Sequence, residues 1–557
     1  MSKDKLFSQQ RALVFQGGGS LGAYEAGVFH VLYHWIKKDL PDNENIFDII
    51  TGTSIGAINA SIIISHFLEN KEKDAGKTED EKSRNTLKYW EGSAEKLIRF
   101  WHMISSHNTF YDFGLSLLKN SWDFSKNISA QLFPFYENYI NTIVSGESLR
   151  RYYSTKKMII EGEAHVFNPL FFPPFPTPLF NKFFDYSPSA WWYQYSNLPL
   201  KKFILEFAPK LQNNAYNEHA GIGSDIDKNE PRFLLVAANI KTAEPEAFDS
   251  YDENNITVNH VLASAAIPIN FPYTEINGNK YWDGGILSNT PVRELISSHT
   301  KFWTKKIKNK LENIIDSKHK LSFDKWNEFY RIQKEDSIPK LSMFIVNLYP
   351  DSEDGNQIPS LFDYDLTKDR EGDIRFHDKT DYDIKLSLNV SDYHTFVEKM
   401  TELVSDSIKE IKDRKPIVDQ LKQRFETIIN AEQRTLTRDN EPRYFYDLIG
   451  KRFDINDVLK IQRRDDEHTI SDKIYDFSSA TVSDLINQGE KDALLAILGH
   501  KENVTYKDKQ RGKEESIYNQ LTKFIENVKK SNTEFDQNII RCTQKEFQKT
   551  LHDVKLK

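Results

Sequence analysis

A chain of 557 residues exceeds the usual size of one hydrophobic core, so it holds either two to four domains or one core with large insertions. Its net charge of −8, from 82 acidic and 74 basic side chains spread along the chain, leaves no basic footprint and disfavours nucleic acid as a partner. The lone cysteine, Cys542, excludes an intrachain disulfide and fits a reducing cytoplasm.

The N-terminal MSKDKLFSQQ has no apolar stretch of signal-peptide length. Arg11 to Gln16 reads as a buried strand; it ends in Gly17, Gly18 and Gly19, and AYEAGVFHVLYHWI follows at helical period. A second such unit comes next, with FDII as strand, TGTSIG as tight turn and AINASIIISHFL as helix. Ile49 to Leu68 is uncharged and of roughly membrane-spanning length, but Gly52, Thr53, Ser54, Gly56, Asn59 and His66 interrupt it. A buried strand and helix explain it better, and no transmembrane helix is expected. Two successive βα units predict a mostly parallel sheet flanked by helices.

Glu69 to Arg84 is hydrophilic and reads as a surface loop or insertion boundary. The insertion, 69–230, is mainly helical in pattern except for Val166 to Pro199, whose prolines forbid a long helix. Strand pattern resumes at RFLLVAANI; TVNHVLASAAI reads as a helix, YTEINGNKYW as a hairpin with an Asn-Gly turn, and DGGILSNTPV as a loop entering another helix. LSMFIVNLY and DVLKIQ are further strands, and KIYDFSSATVSDLINQGEKDALLAIL reads as a short strand and a closing helix, taking the core to about residue 499. The charged segments 301–340 and 368–443 read as surface helices, and 501–557 as a peripheral helix or partly disordered tail.

The pentapeptide from Gly52 to Gly56 matches G-x-S-x-G, in which a strand turns sharply into a helix and holds Ser54 exposed at the apex. The N–H of Ile55 and the helix N-terminus then lie beside any oxyanion that forms. Gly17, Gly18 and Gly19 permit a backbone nest with the same function. Gly17, Gly19 and Gly22 also satisfy the dinucleotide fingerprint, but the second strand ends in Thr51, Gly52, Thr53 and Ser54 rather than in the acidic residue a ribose needs. Ser20, directly before the helix, reads as its N-cap.

A serine needs a base. His260, His299, His394 and His500 lie downstream of Ser54, none in a glycine-flanked strand end that would present it. Asp283 stands just after a hairpin strand, where Gly284 and Gly285 allow another backbone to approach, and it is a candidate dyad partner.

The strings QGGGSLGAYEAGV, GTSIGAINA, HVLASAAIPINFP and YWDGGILSNTPV, in that order and spacing, resemble the motifs of patatin-like phospholipases, particularly the longer microbial branch. KIYDFSSATVSDLINQGEKDA is similar to the end of that core, so the resemblance spans about residues 11–499. It implies a three-layer α/β/α core and a lipid acyl hydrolase, phospholipase A or carboxylic ester hydrolase, in which Ser54 attacks an ester carbonyl through an acyl-enzyme route. Asp283 would accept the serine proton without a histidine, and the glycine loop, chiefly Gly18 and Gly19, would supply the oxyanion hole. No cofactor or metal is implied. Many members carry Arg or Lys where this loop has Leu21, so a cation for a phosphate head group is absent at that position.

The remaining alternatives are a catalytically idle patatin-like scaffold that binds partners and, less favoured, a dinucleotide-binding enzyme. The partner is a lipid or acyl ester, with a cytoplasmic protein meeting a membrane surface peripherally. The aromatic, proline-rich stretch from Val166 to Pro199 would expose too much apolar area if solvated, so it reads as a lid, as core packing or as an oligomer interface.

Overall fold

The computed structural model describes residues 9–74, 76–105, 150–151, 154–155, 157–159, 162–163, 165–169, 195–212, 221–252, 255–311, 322–327, 338–350, 364–377, 380–411, 413–431, 453–463 and 472–509. They fall into a larger unit, Leu13–Pro291, Phe344–Asp378 and Leu459–Lys557, and a smaller one, Met1–Ala12, Val292–Met343 and Lys379–Val458. The central part of the aromatic stretch, 170–194, and the tail from 510 lie outside the described residues, as do the expectations that rest on them.

The strands of the sheet are β1 (Gln9–Phe15) and β2 (Ile49–Thr53), then, after a separate antiparallel pair β3 (Asn168–Pro169) and β4 (Tyr195–Ser196), β5 (Arg232–Asn239), β6 (Glu244–Asp249), β7 (Thr274–Ile276), β8 (Asn279–Asp283), β9 (Lys340–Asn347) and β10 (Ile455–Gln462). The sheet is mixed and mostly parallel, in the order β10-β9-β1-β2-β5-β8-β7, with β6 paired to β5. β2 and β5 are buried at every position, as parallel strands covered on both faces must be.

The registers around β5 position everything that follows. β2 runs parallel to β5 from Ile49 opposite Arg232 to Thr53 opposite Val236, and there it stops. β8, running the other way, pairs from Ala237 opposite Asp283. β6 pairs with β5 throughout Leu234 to Asn239, so β2 and β8 share the opposite edge end to end. The last residue of β2 and the last residue of β8 therefore face adjacent residues of β5, and the two strand ends meet. The hairpin β7–β8 turns on Asn277 and Gly278, both with positive φ (51° and 79°), the two-residue turn read from the Asn-Gly pair.

Helices cover the sheet within the larger unit. α1 (Gly22–Lys37) is buried continuously from Gly22 to Tyr33 and α2 (Ile55–Lys73) carries the apolar run Ile62 to Ile64, both inside the core. Short helices α3 (Glu79–Arg84) and α4 (Thr86–Tyr89) precede α5 (Ser93–Ile104), which buries Leu97, Phe100 and Trp101. α6 (Leu198–Phe207) adds Phe203 and Phe207, whose rings meet Phe100 at 5.3 and 5.4 Å. α7 (Val258–Ser264) lies between β5 and the β7–β8 hairpin in sequence.

In the smaller unit α8 (Val292–Leu311) is joined by an ion pair from Arg293 to buried Asp383 at 3.1 Å. After α9 (Tyr364–Phe376) of the larger unit come α10 (Thr380–Glu410), which carries Asp383, and α11 (Lys415–Ile429) of the smaller, where Phe425 packs on Phe323 and Trp326. α12 (Ser479–Lys509) returns to the larger unit and packs on α1, where Gly27 and Gly489 let the two helix backbones touch and His30 meets Glu490 at 2.7 Å.

Two local expectations are corrected and one unread strand is added. Lys473–Tyr475 forms a 3-10 turn rather than a strand, because it follows Asp472 in left-handed conformation (φ 63°). The hydrophilic stretch from Glu69 is not loop at its start: α2 continues to Lys73, and Thr78 and Glu81 form a capping box that starts α3. β6 carries two glutamates and Pro245 and gave no strand pattern; its exposed positions tolerate them. Among the described residues no helix is long and apolar enough to cross a membrane, and Ile49 to Leu68 resolves into β2, the turn at Ser54 and α2.

Candidate active site

Ser54 sits where β2 has run out of β5 to pair with, and its backbone (φ 54°, ψ −120°) lies outside the regions that L-residues ordinarily populate. Such a conformation persists only when its surroundings over-determine it. Here the Ser54 N–H donates to Ser264 Oγ at 2.9 Å, and that hydroxyl donates to the Val236 carbonyl at 2.6 Å. The Ser54 carbonyl accepts from Ala57 and Ile58 at 3.0 and 3.2 Å, starting α2. Gly52 and Gly56 touch backbone to backbone, and a Cβ at Gly56 would come within 2.8 Å of Phe15. Close approach therefore requires both glycines of the pentapeptide.

Asp283 meets the serine from the other strand end. Ser54 Oγ donates to Asp283 Oδ2 at 2.7 Å, and Gly285 N–H donates to Oδ1 at 2.7 Å. The Asp283 N–H donates to the Ala266 carbonyl at 2.8 Å, so the loop after α7 holds the backbone that presents the carboxylate. Asp283 is 4% exposed and Ser54 8%, so the serine expected to stand exposed at the apex is instead buried against the carboxylate it bonds. Burial pushes the Asp283 carboxyl up to about 6, and the bonds from Ser54 and Gly285 pull it partly back. Gly284 lets the turn close against the Val236 carbonyl and the Thr53 methyl.

The downstream histidines have other partners. His260 caps α7 through Thr257, its ring edge on Phe248 at 4.7 Å, and burial lowers it to about 4. His299 bonds to the Pro339 carbonyl and His394 to that of Phe453. The His500 side chain lies outside the described residues.

The glycine loop approaches Ser54 from β1: a Cβ on Gly17 would lie 3.1 Å from the Ser54 Cβ. The Gly17 N–H is already engaged, donating to the Asn289 carbonyl at 3.1 Å, which takes it out of the expected set of oxyanion donors. Gly18 and Gly19 follow, the latter at φ 57°, a left-handed conformation that suits glycine. Ser20 is not the N-cap expected of it. It lies inside a 3-10 turn, Gly19–Leu21, and its hydroxyl donates to the Lys473 carbonyl at 2.9 Å, while Leu21 precedes α1 without a side-chain cap. Leu21 itself is 3% exposed and belongs to the apolar core.

Sequence reasoning missed three residues that hold this arrangement. Ser264, in the middle of HVLASAAIP, gives no signal beyond a small polar residue near a helix end. Asn289 sits six residues past Asp283 in a stretch that reads only as loop, yet its Nδ2 donates to the carbonyls of Gly17 (3.1 Å) and Phe376 (2.7 Å). Gln16 donates to Thr290 Oγ1 at 2.7 Å and accepts from the Leu348 N–H at 2.7 Å, joining the end of β1 to the turn beyond β9.

The family model described as patatin-like phospholipase matches residues 13–296, which include Ser54, Asp283 and the glycine loop. No curated protein sequence matches the chain. Among solved structures, the crystal structure of VipD from Legionella pneumophila aligns over 98% of this chain and 87% of that chain, at 12% identity and a TM-score of 0.24.

Proposed function

We propose that this chain, which belongs to the patatin-like phospholipase family, is a lipid acyl hydrolase in which Ser54 and Asp283 are the catalytic dyad. The observation that supports the dyad is the 2.7 Å hydrogen bond from Ser54 Oγ to Asp283 Oδ2.

An Asp near the ordinary carboxylate value is a weak base for a hydroxyl, and one raised to about 6 is a better one while still ionised at neutral pH. As Ser54 Oγ attacks the ester carbonyl carbon, its proton passes to Asp283 Oδ2 and the carbonyl oxygen becomes an oxyanion. The N–H groups of Gly18, Gly19 and Ile55 are the donors assigned to that oxygen, each well-placed one contributing roughly 3 to 4 kcal/mol. Collapse expels the alcohol, which takes the proton from Asp283, and leaves an acyl group on Ser54. Water attacks the acyl carbonyl with Asp283 again as base, and the free acid departs.

The strained backbone at Ser54 serves this chemistry. It keeps the hydroxyl at the tip of the turn, and the bond that Ser54 Oγ donates to Asp283 fixes one rotamer of the side chain. The test is a fluorophosphonate probe and a dispersed short-chain ester given to wild type, Ser54→Ala and Asp283→Asn. Wild type should be labelled and turn over, Ser54→Ala should lose label and about 10³-fold or more of turnover, and Asp283→Asn should lose a similar factor. Retained turnover in purified Ser54→Ala overturns the dyad.

A further inference from the structure

Ile269 combines two costs. Its backbone sits at φ 73°, where a β-branched residue is a genuine outlier, and its apolar side chain is 73% exposed. Asparagine or glycine would fit that backbone better and water equally well. The side chain is thus explained neither by the loop's conformation nor by packing among the described residues.

Its position suggests another reason. Three residues before it, the Ala266 carbonyl receives the Asp283 N–H; two residues after it, Phe271 closes the turn on Ile267 at 2.9 Å. The next residue, Asn270, accepts from the Tyr195 N–H at 2.9 Å, and three residues past Tyr195 stands Leu198, 61% exposed. On the other side of the base, Ile286 and Leu287 follow Gly284 and Gly285 and are 44% and 37% exposed. Ile286 is three residues from Asp283, and Ile269 three from its bonding partner, each a reach of at most about 11 Å of chain. The turns that carry the base thus each bear exposed, uncharged, aliphatic side chains. Scattered apolar surface is ordinary, but a β-branched side chain exposed on a strained backbone, in the turn whose Ala266 carbonyl bonds the base, is not.

We propose that Leu198, Ile269, Ile286 and Leu287 form an apolar rim that inserts into a lipid surface and brings an acyl ester to Ser54. The proposal rests on the reading of Ser54 and Asp283 as an esterase dyad. A long-chain lipid is almost entirely aggregated in water, so a hydrolase must take it from an interface. Aliphatic side chains without charge enter the boundary between head groups and chains irrespective of head-group charge.

The test separates this rim from the dyad. The Ser54→Ala chain, used so that turnover does not consume the lipid, is sedimented with phosphatidylcholine vesicles, alone and with Ile269→Asn or Leu198→Gln added. Partitioning should fall about tenfold or more in each added variant. The melting temperature of the Ile269→Asn form should hold or rise, because asparagine accepts the left-handed backbone. Failure of the parent to bind vesicles overturns the rim, as does unchanged partitioning in both variants; Leu198→Gln decides the matter if Ile269→Asn does not fold. Loss of the dyad reading would show separately, as failure of wild type to hydrolyse a dispersed short-chain ester while vesicle binding persists.

Discussion

Asn289 and Gly17 hold each other by two hydrogen bonds: the Gly17 N–H donates to the Asn289 carbonyl and the Asn289 Nδ2 donates to the Gly17 carbonyl, both at 3.1 Å. One pair thus ties the glycine loop to the segment that begins at Asp283. Asn289→Asp keeps the size but turns a donor into a carboxylate facing the carbonyls of Gly17 and Phe376. The expected result is a loss of roughly 10²-fold in kcat with KM nearly unchanged, since the loop donors act on the transition state. Steady-state kinetics on a soluble ester check it; an unchanged kcat would detach the glycine loop from the reaction.

Ser264 is the only described side chain bonded to the Ser54 N–H, and it passes that bond on to Val236. In Ser264→Ala a buried N–H at a strained position loses its side-chain partner, and the Val236 carbonyl loses the hydroxyl bonded to it. We expect a loss of about 1 to 3 kcal/mol in stability, together with reduced labelling by a fluorophosphonate probe as the turn relaxes. Denaturant unfolding and labelling rate measure the two effects separately. Normal stability with normal labelling would mean the turn holds its shape without this hydroxyl.

The elements that set up the site were legible because each carries a local signal. The glycines around Ser54 answer to backbone contacts, β5 is an unbroken apolar run, and Asn277-Gly278 can hardly be anything but a tight turn. What joins them was not legible. The end-to-end sharing of one edge of β5 by β2 and β8 depends on two registers, one of them, Thr53 opposite Val236, between segments far apart in the chain, and no local pattern encodes register at that distance. Ser264, Asn289 and Gln16 escape for the same reason, since a lone polar residue declares nothing until its partner is placed. Ser20 misled because a serine before a helix is ordinarily a cap, whereas here the glycine turn already satisfies the geometry and frees the hydroxyl for Lys473.

Glu25 is fully buried on α1, and burial raises its carboxyl well above the ordinary 4.5 despite the bonds from Asn59 and the Gln16 backbone. Asn59 Nδ2 reaches Glu25 Oε2 at 2.8 Å while Trp101 Nε1 donates to Asn59 Oδ1 at 3.0 Å, so one chain of bonds links α1, α2 and α5. A group whose folded value is raised loses stabilising proton uptake as pH climbs through that value. Wild type should therefore lose stability from about pH 4.5 upward relative to Glu25→Gln, the two converging in acid. Glu25→Ala should instead cost about 1 to 3 kcal/mol, since Asn59 Nδ2 loses one of its two acceptors and keeps only the Gly22 carbonyl. Urea unfolding at pH 5 and pH 8 distinguishes the three proteins; parallel pH profiles for wild type and Glu25→Gln would show Glu25 ionising as freely when folded as when unfolded.

Asp283 carries the same sign with a functional consequence. Its folded value of about 6 against an ordinary 3.8 means the native state holds a proton that the unfolded chain has released between those two pH values. Stability from this group is complete below 3.8, declines as pH rises, and is lost above about 6, a difference of about 3 kcal/mol. Asp283→Asn removes that decline, so at pH 7 the variant should be the more stable protein by up to about 3 kcal/mol, and no more stable than wild type at pH 3.5. Turnover runs the opposite way. The base must be ionised to accept the Ser54 proton, so kcat/KM of wild type should rise tenfold per pH unit below about 6 and level off above it, while the variant stays inactive throughout. Thermal unfolding of both proteins across pH, set beside the wild-type rate profile, tests one carboxylate twice. If the stability difference and the rate midpoint do not fall in the same pH range, the group that titrates in the reaction is not Asp283.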